Sequence, residues 1–312
     1  MGNDKMSVQN PEIKNTPHIQ MFFHEQSSTF SYVVTDQSTK RCVVIDPCLD
    51  IEEAAGSIRT GSARRIRDYI NENGLTCSFI LETHAHADHL TAAHYLKNEL
   101  GSTTVIGGEI TEIQRVFADI YSEPESFAVN GTQFDVLLCD GETLEFGSFS
   151  ITAMHVPGHT PACMAYLIAD ALFVGDTLFM PDSGTARCDF PGGDARTLYR
   201  SIQRLFELPD DTRVFVCHDY QPNGRELAFE TTIAAQKTQN IHARVSINEA
   251  EFVSLRENRD AQLSMPKLIL PSLQVNIRAG ALPVHPVTGK PFITMPLNAF
   301  GGDDLKNIVE NQ

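Results

Sequence analysis

The sequence predicts a layered α/β fold in which helices cover packed sheets. Three observations lead there. Short apolar runs rich in β-branched and aromatic residues are separated by runs of helical periodicity along the 312 residues. Metal-ligating side chains stand directly after several of the strand-like runs, where an α/β sheet presents residues to a crevice. No internal repeat or low-complexity tract breaks this order.

The elements follow in sequence. His18–Phe23, Thr29–Thr35 and Cys42–Ile45 read as strands bounded by turn-prone residues. Ala63–Asn73 reads as a helix closed by Gly74, and Cys77–Leu81 as a buried strand. Ala87–Leu100 has the pattern of a second helix. Strands are expected at Thr104–Ile106, Phe134–Leu138, Phe149–Val156, Ala165–Ile168, Ala171–Val174 and Arg213–Cys217. Helices are expected at Ala195–Glu207, stopped by Pro209, at Arg225–Gln239 and at Asn248–Arg259. Beyond these, Pro266, Pro271, Pro283, Pro286, Pro291 and Pro296 predict an irregular, surface-wrapping tail. Its apolar stretches Leu268-Ile269-Leu270 and Val275-Asn276-Ile277 are suited to docking. The expected organisation is a loose segment 1–17, a catalytic domain 18–245, and a helix and docking tail 246–312 of the same unit.

Composition narrows the function. Apolar residues make up 42% and the net charge is -16, which leaves no basic footprint for nucleic acid. No run approaches the ~18 apolar residues of a membrane span, so no membrane partner is expected. The seven cysteines (Cys42, Cys48, Cys77, Cys139, Cys163, Cys188 and Cys217) are odd in number, scattered and never form CxxC. A reduced, cytoplasmic setting fits them. Residues 1–17 lack the arginines of a transit peptide and the apolar stretch of a secretory signal. Met1-Gly2 resembles a myristoylation start, but Met6 stands where Ser or Thr is wanted.

Chemistry concentrates in Thr83-His84-Ala85-His86-Ala87-Asp88-His89, directly after Phe79-Ile80-Leu81. In an extended segment His84 and His86 share one side, and the helix expected from Ala87 would begin with Asp88 and His89. A single HxH pair is ordinarily just a polar loop. Four ligand-type residues within six positions instead point to a metal, and imidazole with carboxylate suits Zn, Fe(II) or Mn. Three further strand ends add candidates: Pro157-Gly158-His159-Thr160, Gly175-Asp176-Thr177 and His218-Asp219-Tyr220. Singly, each has a structural alternative, as a turn histidine, a cap or a packed core residue. In this order with HxHxDH they form one constellation.

The set THxHxDH…PGHT…GD…H over residues 18 to 245 resembles the metallo-β-lactamase superfamily. The resemblance implies an αββα sandwich with metals at one edge. It also implies a first metal on His84, His86 and His159, a second on Asp88, His89 and His218, and Asp176 bridging. Such a pair would generate a nucleophile for hydrolysis. A finer resemblance comes from Gly184-Thr185-Ala186-Arg187-Cys188-Asp189-Phe190, Cys217-His218-Asp219-Tyr220 and Asn276-Ile277-Arg278-Ala279-Gly280. This set resembles persulfide dioxygenases, relatives of the glyoxalase II hydrolases.

That resemblance implies one Fe(II) per chain on His84, His159 and Asp176, as catalytic and metal-binding residues. Two histidines and one carboxylate with open positions is also the pattern of non-haem Fe(II) oxygenases. His86, Asp88, His89 and His218 would form the outer shell, or the ligands of a second metal. The implied reaction oxidises glutathione persulfide with O2 to sulfite and glutathione. The alternative is a glyoxalase II-type thioester hydrolase holding two Zn(II) or a mixed Zn/Fe pair. Arg187, whose planar fork suits a glutathione carboxylate, is expected in the substrate pocket with Tyr220 and Arg278. For Arg187 an ion pair with Asp189 is the competing role, and for Arg278 a tail-docking contact. Cys188 beside Arg187 would be reactive if it faced the pocket and inert if buried. A homodimer is expected from the resemblance and from the prevalence of two-fold assemblies.

Overall fold

The structure, a computed structural model, describes residues 16–302. The expected loose segment 1–17 therefore lies almost entirely outside the described residues. In chain order the first elements are β1 (His18–His24), β2 (Thr29–Asp36), β3 (Arg41–Ile45), β4 (Cys48–Glu52) and β5 (Ser57–Arg59). Then come α1 (Gly61–Glu72), β6 (Thr76–Leu81), β7 (Leu90–Thr91), α2 (Ala93–Leu100), β8 (Thr103–Gly107) and α3 (Ile110–Ile120). The middle holds β9 (Val136–Leu138), β10 (Thr143–Phe146), β11 (Phe149–His155), β12 (Met164–Ile168) and β13 (Ala171–Phe173). The rest is α4 (Ala195–Leu205), β14 (Arg213–Phe215), β15 (Glu230–Thr232), α5 (Ile233–Gln239), α6 (Glu249–Asp260) and α7 (Ile269–Asn276).

Two six-stranded sheets form the centre, ordered β1-β2-β3-β6-β8-β9 and β10-β11-β12-β13-β14-β15. Their inner faces share one core, with Tyr32, Val34, Val43, Ile45 and Val105 meeting Ile151, Tyr166, Ile168, Phe173 and Phe215. Alternation sends Val33, Cys42, Val44 and Ile80 to the outer face of the first sheet. There they pack against Ile66 and Ile70 of α1 and Leu96 of α2. On the other side Leu198, Ile202 and Leu205 of α4 join the central core, and α6 lies against α4. The result is the αββα sandwich. Among the described residues, no helix is long and apolar enough to cross a membrane.

Three expectations are corrected. The helix expected from Ala87 starts only at Ala93, and Leu90–Thr91 pair with β4 instead. Asn276 of α7 takes the carbonyls of His86 and His89 with its Nδ2, at 2.7 and 2.8 Å, and diverts them from helical bonding. The helix expected from Arg225 begins at Ile233. Arg225 is held by Asp219 at 2.6 and 2.7 Å, and Glu230–Thr232 form an edge strand on β14. Finally, the Pro-rich tail contains α7, because Pro271 sits in the first turn, where its missing N–H is not needed. Ile269, Leu273 and Ile277 dock this helix beside Ala85 and Ala87 of the HxHxDH loop.

Candidate metal centre

Each candidate ligand is delivered by a strand end that neighbouring backbone fixes in place. After β6, Thr83 donates its N–H and hydroxyl to Asp46 at 2.7 and 2.8 Å, and Thr83 O accepts from Met164 N of the second sheet. The loop carrying His84 is thus tied to both sheets. After β11, Gly158 has φ 142°, and a Cβ there would lie 2.3 Å from Leu198 Cα. Only glycine lets His159 follow so close to α4. After β13, Gly175 at φ 51° brings Asp176 past Thr83, whose Oγ1 a Cβ would meet at 2.7 Å. His218 follows β14, and Cys217 O accepts from Phe30 N at 2.7 Å.

Ligand atoms of His84, His159 and Asp176 all lie within 4.8 Å of one another. Asp176 Oδ2 is 3.9 Å from His84 Nε2 and 3.6 Å from His159 Nε2. The tautomers follow from the partners. His159 Nδ1 donates to Arg187 O at 2.7 Å, because a carbonyl can only accept. Thr83 Oγ1 already donates to Asp46, so at 3.1 Å it accepts from His84 Nδ1. In its neutral form each ring therefore turns a bare Nε2 towards Asp176. Burial, and then His86, holds the His84 pKa well below the ordinary imidazole value.

His86 stands outside this group. Its Nε2 is 3.1 Å from Asp46 Oδ1 and 3.5 Å from Glu82 Oε2, and its ligand atoms also group with Asp88 and His89, and with Cys217 and His218. His218 Nδ1 faces Ser28 O at 3.2 Å, and its Nε2 lies 3.2 Å from Asp176 and 3.6 Å from Asp88. Although burial opposes it, these two carboxylates push the His218 pKa up to about 9. Buried His84 Nε2, His86 Nδ1 and Nε2, His89 Nε2 and Asp176 Oδ1 have no hydrogen-bond partner among the described residues. Each such atom costs about 1–3 kcal/mol if left unsatisfied. A cation bound among them would satisfy several at once, so the residues fit a metal.

A cavity of about 610 Å³ opens onto His159, Asp176, Asp88 and His218. Arg187, Phe190 and Tyr220 line it, α6 contributes Arg259, and the tail contributes Lys267. Tyr220 lies parallel to the His218 ring, centroids 5.8 Å apart. Arg187 is in the wall as expected, but its fork is engaged. Nε and Nη2 hold Asp189 at 2.6 and 2.7 Å, and Nη1 holds Ser264 O at 2.7 Å. The carboxylate partner is Asp189, as in the competing role for Arg187. Arg278 is corrected: it is absent from the pocket wall. It pairs with Glu123, donates to Gln274 O and covers Phe127 at 4.5 Å. Cys188 is buried, and burial pushes its thiol well above the ordinary value, which removes the reactive option.

Sequence reasoning missed Asp46 and Glu82 beneath His86, and Asn276 above it. Asp46 was legible as an acidic residue ending the apolar run Cys42–Ile45. Asn276 is visible in sequence only as the first residue of Asn276-Ile277-Arg278-Ala279-Gly280; its Oδ1 also accepts from Thr91 N at 2.8 Å.

Known proteins are similar to this chain in sequence and fold. Residues 25–218 match the family description "Metallo-beta-lactamase superfamily". A probable metallo-hydrolase of Burkholderia pseudomallei is 47% identical over 90% of this chain and 99% of its own length. Glyoxylase B2 of Dictyostelium discoideum is 45% identical over 92% and 99%. The human mitochondrial persulfide dioxygenase ETHE1 is 29% identical over 84% and 88%. The chain spans 66% of the length of a beta-lactamase hydrolase-like protein of Xylella fastidiosa, at 48% identity over 92% of this chain. Among solved structures, ETHE1 from Myxococcus xanthus superposes with TM-score 0.67 at 30% identity, covering 85% of this chain and all of that one. With the strand-end ligand set, the sandwich and a match of this extent together, the chain belongs to the metallo-beta-lactamase superfamily.

Proposed function

We propose that this chain is a persulfide dioxygenase acting on glutathione persulfide at a single Fe(II) held by His84, His159 and Asp176. One observation carries the reading: these three residues converge as a group that excludes His86. Two histidines and one carboxylate suit a mononuclear Fe(II) oxygenase better than a hydrolytic metal pair. When bound there, Fe(II) supplies a position for the persulfide sulfur and the means of activating O2. The chain's own residues do the rest. Arg187 O and Thr83 Oγ1 fix the tautomers of the two histidines. Phe190 stands edge-on to His159 at 5.3 Å and shields it from water. Arg259 and Lys267, which have no ion pair among the described residues, are the cations open to a glutathione carboxylate. His86, Asp88, His89 and His218 support the centre from outside.

The second reading, a two-metal glyoxalase II-type hydrolase, is favoured by Asp88, His89 and His218 standing complete beside the triad. The higher identity of the relatives named as hydrolases also favours it. Metal analysis after anaerobic purification, paired with oxygen uptake on glutathione persulfide, separates the two. One iron per chain with sulfite formation is the expected outcome. Two zincs, with S-lactoylglutathione hydrolysis and no oxygen uptake, would overturn it.

A further inference from the structure

The turn between β1 and β2 joins the metal centre to a second cavity. Asp88 Oδ2 accepts from Thr29 Oγ1 at 3.2 Å. Thr29 Oγ1 and Ser27 Oγ are 2.6 Å apart, and Ser27 Oγ and His24 Nδ1 are also 2.6 Å apart. At the far end His24 Nε2 lies 3.4 Å from Asp50 Oδ1, whose side chain is 30% exposed. Asp50 and His24 line a cavity of about 520 Å³ with Arg65, Glu25 and Gln26. Of the residues lining this cavity, only Gln26 also lines the one above the metal centre.

Every member between the two carboxylates can donate and accept at once. The two hydroxyls do so by rotating, and a neutral imidazole does so with its two different nitrogens. His24 is 5% exposed. Burial, and then nearby His89, lowers its pKa to about 4, so the ring is neutral near pH 7.

We propose that Thr29, Ser27 and His24 form a proton conduit from Asp88 to the cavity beside Asp50. When the Asp88 carboxylate takes up a proton, the Thr29 hydroxyl, which otherwise donates to Asp88, turns its hydrogen to Ser27 Oγ. It accepts the proton from Asp88 Oδ2 and passes its own hydrogen on. The Ser27 hydrogen moves to His24 Nδ1, and the Nε2 hydrogen leaves to Asp50 or to water. At each step one O–H or N–H bond breaks and one forms, no electrons are exchanged, and one proton is exported. The conduit rests on the reading that turnover occurs at the metal centre, and either proposed reaction releases protons there. Glutathione persulfide, O2 and water give glutathione, sulfite and two protons, whereas a thioester and water give a carboxylate, a thiol and one proton. A substrate in the cavity of about 610 Å³ would lie over Asp88 and Asp176, and the β1–β2 turn leads away from it.

The test uses metal-loaded enzyme of matched metal content in weakly buffered solution. His24→Ala should lower kcat roughly tenfold or more with KM unchanged, and should raise the solvent deuterium isotope effect on kcat. Imidazole, which fits the vacated cavity, should restore the rate. His24→Gln keeps the hydrogen bonds but cannot pass a proton on, and should stay slow. Ser27→Ala should be slow and beyond rescue by imidazole. Unchanged kcat in His24→Ala overturns the conduit, as does a loss that His24→Gln repairs or that imidazole leaves in place. Independently of turnover, nitrogen NMR of the metal-free chain should find one protonated and one bare ring nitrogen on His24 at neutral pH. A doubly protonated ring has no acceptor and overturns the proposal. If the enzyme consumes a thioester rather than the persulfide, the dioxygenase reading falls, and the same variants test the conduit with that substrate.

Discussion

Two groups of ligand-type residues lie side by side at the sandwich edge, and they differ in what their free atoms face. In the first, His84 and His159 are tied at Nδ1 and both turn Nε2 towards Asp176. In the second, His86 faces Asp46 and Glu82, and His218 lies between Asp176 and Asp88. The first group brings its ligand atoms to within 4.8 Å of one another. The second has carboxylates beside its imidazoles, Asp46 and Glu82 at His86 and Asp88 at His89 and His218. Yet it too leaves His86 Nδ1 and Nε2 and His89 Nε2 without hydrogen-bond partners among the described residues. The resemblance already sets His84, His159 and Asp176 apart from the other four, and these three lie within 4.8 Å of one another.

The sharpest way to break this division is to delete one member from each side. His159→Ala leaves one imidazole and one carboxylate in the first group, and iron should be lost from the purified protein. Asp88→Ala or His89→Ala should leave iron largely bound, as read by metal analysis after anaerobic purification. Equal loss from all three variants would mean that the two groups act as one two-metal site.

The brace behind His159 offers a smaller effect. Arg256 and Asp260 form a buried ion pair on α6. Arg256 Nη1 donates to Thr185 O at 3.0 Å, and Asp260 Oδ2 accepts from Cys188 N at 2.9 Å. Between these two points lies Arg187, whose carbonyl orients His159. Asp260→Ala strands a buried guanidinium and should cost about 3–5 kcal/mol in denaturant unfolding. It should also weaken iron binding by about tenfold in a chelator competition, in line with the loss of an outer partner. Unchanged iron affinity in a folded variant would show that the brace serves the fold alone.

Much of this was legible in the sequence because it is local. Every expected strand has a counterpart with nearby bounds, and HxHxDH, PGHT, GD and HDY each stand at a strand end. Helix α3 was missed although Ile110, Ile113, Gln114 and Phe117 mark one buried face at helical spacing. Other features depend on partners remote in sequence. Nothing near Ala87 announces that Asn276 will claim two carbonyls there. Nothing near Arg187 announces Ser264, although Asp189 was visible two residues away. His24 gained meaning only when Thr29 was seen to reach Asp88. Side-chain commitments of this kind are set by packing, which a linear pattern does not carry.

The tail braces the second group as α6 braces the first, and here the expected effect is smallest. Asn276 is 2% exposed and makes three bonds, to His86 O, His89 O and Thr91 N, which set the path of the HxHxDH loop after His84. Asn276→Ala leaves those groups buried without partners and should cost about 1–3 kcal/mol of stability. His84 should keep its position, because Thr83 and Asp46 hold it from the other side. Iron content should therefore stay near that of the unaltered chain while the unfolding midpoint falls. If iron is lost in step with stability, the loop moves as one piece and the separation of the triad from its neighbours fails. If stability falls alone, the two groups are independently supported, one through α6 and one through α7.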